Sequence, residues 1–85
     1  MIVLTRIDAA RNMRRFYAVD VTPTLCGEWH GMREWGRIGQ GGTVRTATFP
    51  SQDEAQKAQA RSINRKLKRG YVLKSLAFVH VMHPS

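Results

Sequence analysis

Acidic residues are scarce in this sequence, and after Glu54 there are none. Six Asp and Glu face fourteen Lys and Arg across 85 residues, a formal charge of +8 and a pI near 10.9. That excess goes beyond what solubility requires and points to a polyanionic partner. So few carboxylates also leave little with which to build an acid–base pair, and none lies in a recognisable catalytic motif with a His, Ser or Cys. An enzyme is therefore not expected, and neither is a small-molecule substrate or a cofactor, because a chain this short has little room for a deep cleft. Cysteine is almost absent. Cys26 alone excludes an internal disulfide, and the opening Met1-Ile2-Val3-Leu4-Thr5-Arg6 is too short and interrupted for a secretory signal. An intracellular, cytoplasmic protein is expected on those grounds. Long apolar runs are missing too: none approaches the roughly 18 residues that a membrane-spanning helix needs.

What is present is ordinary for a folded domain, with 42% hydrophobic and 24% charged residues. The length suits a single domain over residues 1–85 with a thin core, and a stability on the order of 5 kcal/mol. Ile2 to Ile7 is rich in β-branched residues and reads as a strand ending at Asp8-Ala9-Ala10-Arg11-Asn12. Arg14 to Thr22 alternates, with Tyr17, Val19 and Val21 on one face and Phe16, Ala18 and Asp20 on the other. Pro23 ends it, since it brings no N–H to a ladder. Leu25 to Ile38 is the next candidate strand, on which Trp29, Arg33, Trp35 and Arg37 share one parity. Gly39-Gln40-Gly41-Gly42 reads as a hairpin turn leading to a strand over Thr43 to Phe49. A final strand is expected within Tyr71 to Met82, around Leu76-Ala77-Phe78-Val79.

Between these last strands lies a helix of about residues 51–69. Ser51 and Glu54 form a capping box, and Gly70 is a C′ stop. Its inward stripe is Ala55, Ala58, Gln59, Ser62, Ile63, Lys66 and Leu67, mostly small, so it can lie close to a sheet. The opposite face aligns Lys57, Arg61, Asn64, Arg65 and Lys68 at spacings of three and four. This stripe is a candidate phosphate-binding surface, although Lys68 and Arg69 would also favour the negative end of the helix dipole without any ligand. A membrane surface is a poor partner for it, because mainly Ala stands opposite the charges. The fold class expected is α+β: an antiparallel sheet of four to five strands with one helix across a face.

The glycines of Gly36-Arg37-Ile38-Gly39-Gln40-Gly41-Gly42 do not make a nucleotide loop, because a dinucleotide fingerprint needs a third glycine at Val44 and a phosphate loop needs Gly-Lys-Ser/Thr. Cys26, His30, His80 and His83 are the side chains that could bind zinc. An offset of four on a strand separates Cys26 from His30 by about 13 Å, too far for one tetrahedral ion unless a turn at Gly27 folds them together. Without a metal, these are a buried thiol and three surface histidines, and no metal is expected. Trp35 is the informative aromatic. An indole beside Arg37 is what stacking on a sugar or base while pairing phosphates would use, and the same indole could equally pack in the core with Trp29.

The run Glu34-Trp35-Gly36-Arg37-Ile38-Gly39 resembles the signature of the WGR family. Arg15-Phe16-Tyr17 is similar to that family's basic-aromatic-Tyr motif, Ala55 and Lys66 fall at its helix positions, and Lys68-Arg69-Gly70-Tyr71 is similar to its Lys/Arg-Gly-Tyr close. Together these motifs run from about residue 12 to 72. Family members occur in DNA-dependent poly(ADP-ribose) polymerases, where the signature Trp stacks on a terminal sugar at a DNA break, and as short bacterial proteins. The resemblance implies a sheet with one helix across it and a module that binds DNA in preference to RNA, at ends or nicks. It nominates Trp35, Gly36 and Arg37, with Gly36 allowing close backbone approach. Asn12, Arg45 and Tyr71 are further nominations, and Arg14 and Arg15 on the second strand add charge. No transferase activity is implied. The implied setting is the bacterial cytoplasm, possible at the nucleoid. The alternative from another class is an adaptor that docks an acidic protein, with Trp35 and Arg37 as its anchors.

Overall fold

The computed structural model describes residues 1–76. Five strands form one antiparallel sheet: β1 (Ile2–Asp8), β2 (Met13–Pro23), β3 (Trp29–Arg37), β4 (Thr43–Phe49) and β5 (Val72–Leu76). Their order is β4-β3-β2-β1-β5. The first four make a meander, after which the chain must cross from one sheet margin to the other to place β5 beside β1. That crossing spans four strand spacings, about 19 Å. Helix α1 (Gln52–Lys68) makes it, since its 17 residues cover about 25 Å. The architecture is α+β, as the patterning indicates.

Alternation decides which side of the sheet the helix covers. Leu4, Tyr17 and Val19 are buried on the helix side, and Tyr71 joins them at the helix exit, with Ile2, Trp35 and Ile63 packed around this cluster. Full burial of Leu4 and Val19 contributes about 1.5–3 kcal/mol each, so the core is small and each member counts. From the helix, Ala55 and Ser62 are buried, and the small stripe lets α1 approach β2 and β3 closely.

The helix ends are specified locally. The Ser51 hydroxyl accepts from the Glu54 N–H at 3.2 Å, whereas the reciprocal Glu54 bond is not formed among the described residues. At the other end Gly70 takes φ +94°. Its N–H donates to the Leu67 carbonyl at 3.1 Å, and the Tyr71 N–H donates to the Lys66 carbonyl at 3.1 Å. This is a Schellman closure.

Three expectations need correction. β3 begins at Trp29 rather than Leu25, because a turn holds Thr24 to Glu28: Thr24 N–H donates to the Glu28 carbonyl at 2.9 Å, and its hydroxyl accepts from the Cys26 and Glu28 N–H groups. The Cys26 thiol is consequently exposed, not buried. Leu67 also faces solvent, at 45% exposure, since Lys66 takes the inward position in the last turn. Of the expected final strand, Val72–Leu76 is observed; Ala77-Phe78-Val79 and the residues beyond lie outside the described residues.

Candidate functional site

Strand register assembles the site. On the helix side, Tyr17 pairs with Trp35, and the neighbouring rows on either side pair Arg15 with Arg37 and Val19 with Arg33. Trp35 therefore has Arg33 and Arg37 before and after it on its own strand, pointing the same way. Beyond β2, Arg6 stands opposite Arg15. The C-terminal turn of α1 hangs over these rows and adds Lys66.

The result is an open cleft of about 420 Å³ lined by Arg15, Phe16, Trp35, Gly36, Arg37, Lys66 and Tyr71. Trp35 is half-buried. Its ring stacks on Tyr17 with centroids 6.4 Å apart, and the Arg33 guanidinium lies 5.6 Å from its centroid. Both sequence-based readings of this indole are thus partly met: it packs on the core and it also lines the cleft.

Lys66 is the most constrained cation of the group. Its Nζ lies 4.9 Å from the Tyr17 ring centroid and 5.2 Å from that of Tyr71. Burial lowers its pKa from the ordinary lysine value, and the neighbouring Arg69, Arg15, Arg65 and Arg33 push it down further. Two aromatic faces hold the ammonium where like charges repel it, an arrangement that a bound anion would relieve. No carboxylate among the described residues does so. Among the described residues the ion pairs are Asp20 with the N-terminus, Asp8 with Arg11 and Asp53 with Lys57; none reaches the cleft.

Arg37 is oriented rather than free. Its guanidinium donates to the Asn12 backbone carbonyl at 3.1 Å and to Asn12 Oδ1 at 3.3 Å. Asn12 has φ +51°, a left-handed conformation that Asn tolerates better than most residues. Its place is behind Arg37, holding it, rather than in the cleft lining. Gly36 serves a close approach within the protein: a Cβ there would meet Gly42 Cα at 3.0 Å. At Gly42 the fit is tighter, with the Trp35 carbonyl oxygen at 2.6 Å and the Phe16 ring at 2.9 Å from a built Cβ.

Of the residues nominated from sequence, Arg15, Trp35, Gly36, Arg37 and Tyr71 come together here, Tyr71 largely buried. Others lie elsewhere. Arg14 alternates to the opposite sheet face, and Arg45 sits on β4 opposite Arg33. Lys57 is held by Asp53 at 3.0 Å, Lys68 projects from the last turn, and Arg61 with Arg65 line a second groove nearer the start of the helix. Sequence reasoning passed over Lys66 and Arg33 as site residues. Both carried a signal: Lys66 is the one charged residue in the inward stripe, and Arg33 shares the parity of Trp35. The Gly27 turn does exist, but no group of three or more metal-ligating side chains forms among the described residues, and His80 and His83 lie outside them. No helix among the described residues is long and apolar enough to cross a membrane.

Comparison with known proteins bears on the family and the fold. A family model for the WGR domain matches residues 1–77. The chain belongs to the WGR domain family. Such domains are generally nucleic-acid-binding modules. An uncharacterized protein of Sinorhizobium fredii is 38% identical over 66 residues, which cover 78% of this chain and 32% of the relative. A crystal structure of a Bacteroides fragilis protein superposes with a TM-score of 0.72 at 29% identity, covering 92% of this chain and 20% of the other. This WGR domain thus spans about a third of the first relative and a fifth of the second.

Proposed function

We propose that this WGR domain is a non-enzymatic module that binds the DNA backbone, with a preference for ends and nicks. The observation that carries the proposal is the cleft in which Trp35 stands among Arg15, Arg37 and Lys66 with no carboxylate among the described residues to neutralise them. Phosphates would supply the missing negative charge. At about 4 Å a unit charge pair contributes roughly 1 kcal/mol in water and about 4 kcal/mol at a partly shielded surface, so a few such contacts suffice for binding. Arg37, braced by Asn12, presents a fixed guanidinium fork, which suits phosphate better than a mobile point charge would. The indole of Trp35 offers a stacking surface for a sugar or base exposed where a strand ends. A continuous duplex exposes no such terminal group, hence the preference for ends.

The first test is salt dependence. If four to six phosphates are contacted, log–log plots of affinity against salt should have a slope of about −4 to −5 on duplex DNA. A flat response would reject electrostatic capture. Competition by an RNA duplex of matched sequence decides the preference for DNA: an equal competitor removes it.

A further inference from the structure

The sheet margin formed by β4 is not part of the Trp35 cleft, and its features point to a different ligand. β4 is the terminal strand of the sheet. Thr43 to Thr48 are exposed. Its sequence Thr-Val-Arg-Thr-Ala-Thr-Phe is rich in strand-forming residues and contains no proline, so apart from Arg45 it lacks the usual devices that blunt an open edge. Beside it, between β2–β4 and the middle turns of α1, runs a groove of about 230 Å³. Its floor carries Gly31, Ala47, Ala55 and Ala58, with the Phe49 ring at one side. That space exceeds the ~150 Å³ cavity that accommodates benzene, enough for one bulky apolar side chain. Arg33, Arg61 and Arg65 also line it. The one acid there, Asp20, is engaged by the N-terminus at 3.2 Å.

We propose that β4 and this groove form a docking edge for an extended, acidic peptide segment of a partner protein. The segment would add a sixth strand beside β4, place one apolar side chain in the groove and set its carboxylates against Arg33, Arg45, Arg61 and Arg65. Main-chain pairing supplies affinity in such additions and the alternate side chains supply selectivity. A second copy of this chain fits poorly: pairing β4 with β4 would bring Arg45 against its counterpart on a partner that also carries +8. Nucleic acid fits poorly as well, because it cannot continue a main-chain ladder and brings no aliphatic side chain for the apolar part of the groove. Among the described residues none lines both the groove and the Trp35 cleft; Arg33, 5.6 Å from the Trp35 ring, borders both, so protection at β4 and at Trp35–Arg37 is read separately.

The probe is a fluorescein-labelled heptapeptide, Glu-Thr-Leu-Thr-Glu-Thr-Glu, whose Leu and Glu side chains share one face of an added strand, the face of the groove and its arginines, followed by anisotropy and by amide hydrogen exchange on the full chain. Two isomers carry backbone N-methyl groups on alternate residues, so that one set faces β4 and the other faces solvent while charge is unchanged. Binding should slow exchange of amides within Thr43–Phe49, and only one N-methylated isomer should bind at least tenfold more weakly. Ala58→Trp, which fills the groove, should weaken binding at least fivefold. Arg61→Glu, at an exposed position where folding is not at stake, should weaken it about tenfold. The proposal is overturned if the peptide does not bind, if both N-methylated isomers bind like the parent, or if protection falls on Trp35–Arg37 instead. It is also overturned if a short DNA duplex protects the same β4 amides.

Discussion

Replacing Lys66 with Met tests whether cation placement, and not the overall charge of +8, sets nucleic-acid affinity. Each phosphate contact contributes about 0.9 to the log–log salt slope, so one contact is worth about 0.9 log units at 0.1 M salt relative to 1 M, roughly eightfold. At 0.4 M the same contact is worth only about twofold. Lys66→Met should therefore bind duplex DNA about eightfold more weakly at the lower salt and about twofold at the higher, with the slope reduced by about 0.9. Fold stability should change little. Met loses two cation–π contacts of about 0.5–1 kcal/mol each, and in exchange removes an ammonium from a partly buried site among arginines. Because the folded-state pKa of Lys66 is lowered, its charge destabilises the native state at neutral pH. That penalty is constant below the folded pKa and is relieved as pH rises through it toward the unfolded value, so the stability of the parent should climb relative to Lys66→Met across that alkaline window. DNA affinity of the parent should fall over the same window. Lys57→Met is the matched control, since Lys57 already has Asp53 at 3.0 Å and should change the slope by much less. Filter binding or anisotropy over a salt series reads both. If the two variants lose the same slope, diffuse charge explains binding and the cleft has no special role.

The remaining expectations are local. Gly42→Ala drives a methyl group into the Trp35 carbonyl and should cost roughly 1–3 kcal/mol, whereas Gly41→Ala, with nothing within 4 Å, should be near neutral; thermal melts of the two separate close packing from general turn flexibility. Ser51→Ala removes the N-cap bond and should cost about 1 kcal/mol, a fall of about 4–8 °C in Tm for a domain of this size; an unchanged Tm would mean that the cap is not formed. Asn12→Gly keeps the left-handed backbone but deletes the Oδ1 bond to Arg37, so DNA affinity should fall a few-fold with little change in Tm. If affinity instead falls as far as it does for Arg37→Ala, Asn12 itself contacts the ligand.

Most of the fold was legible because its determinants are local. Alternation in β2 placed Tyr17 and Val19 on one face, and the Ser51 and Gly70 signals bounded α1. The order of the strands was less accessible, since the return of β5 to β1 depends on how far the helix must reach, not on any single residue. The turn at Thr24 to Glu28 was missed because Leu25 and Cys26 look apolar enough for a strand, while a threonine hydroxyl and a left-handed glycine at Gly27 decided otherwise. At the site, parity alone related Trp35 to Arg37. It could not bring Lys66 over Tyr17 and Tyr71, which requires α1 to end above the row containing Trp35. Helix spacing did put Asp53 one turn before Lys57, a pairing that was not drawn from the sequence; it could not show that Arg61 and Arg65 line the groove against the sheet.

The most direct measurement compares Trp35→Phe and Trp35→Ala with the parent on one DNA sequence prepared as a blunt linear duplex, as a nicked circle and as a covalently closed circle. The account predicts that Trp35→Ala weakens binding to linear and nicked DNA about tenfold or more beyond any loss on the closed circle, with Trp35→Phe in between and both proteins folded by circular dichroism. Equal losses on all three substrates, or none on any, would contradict it.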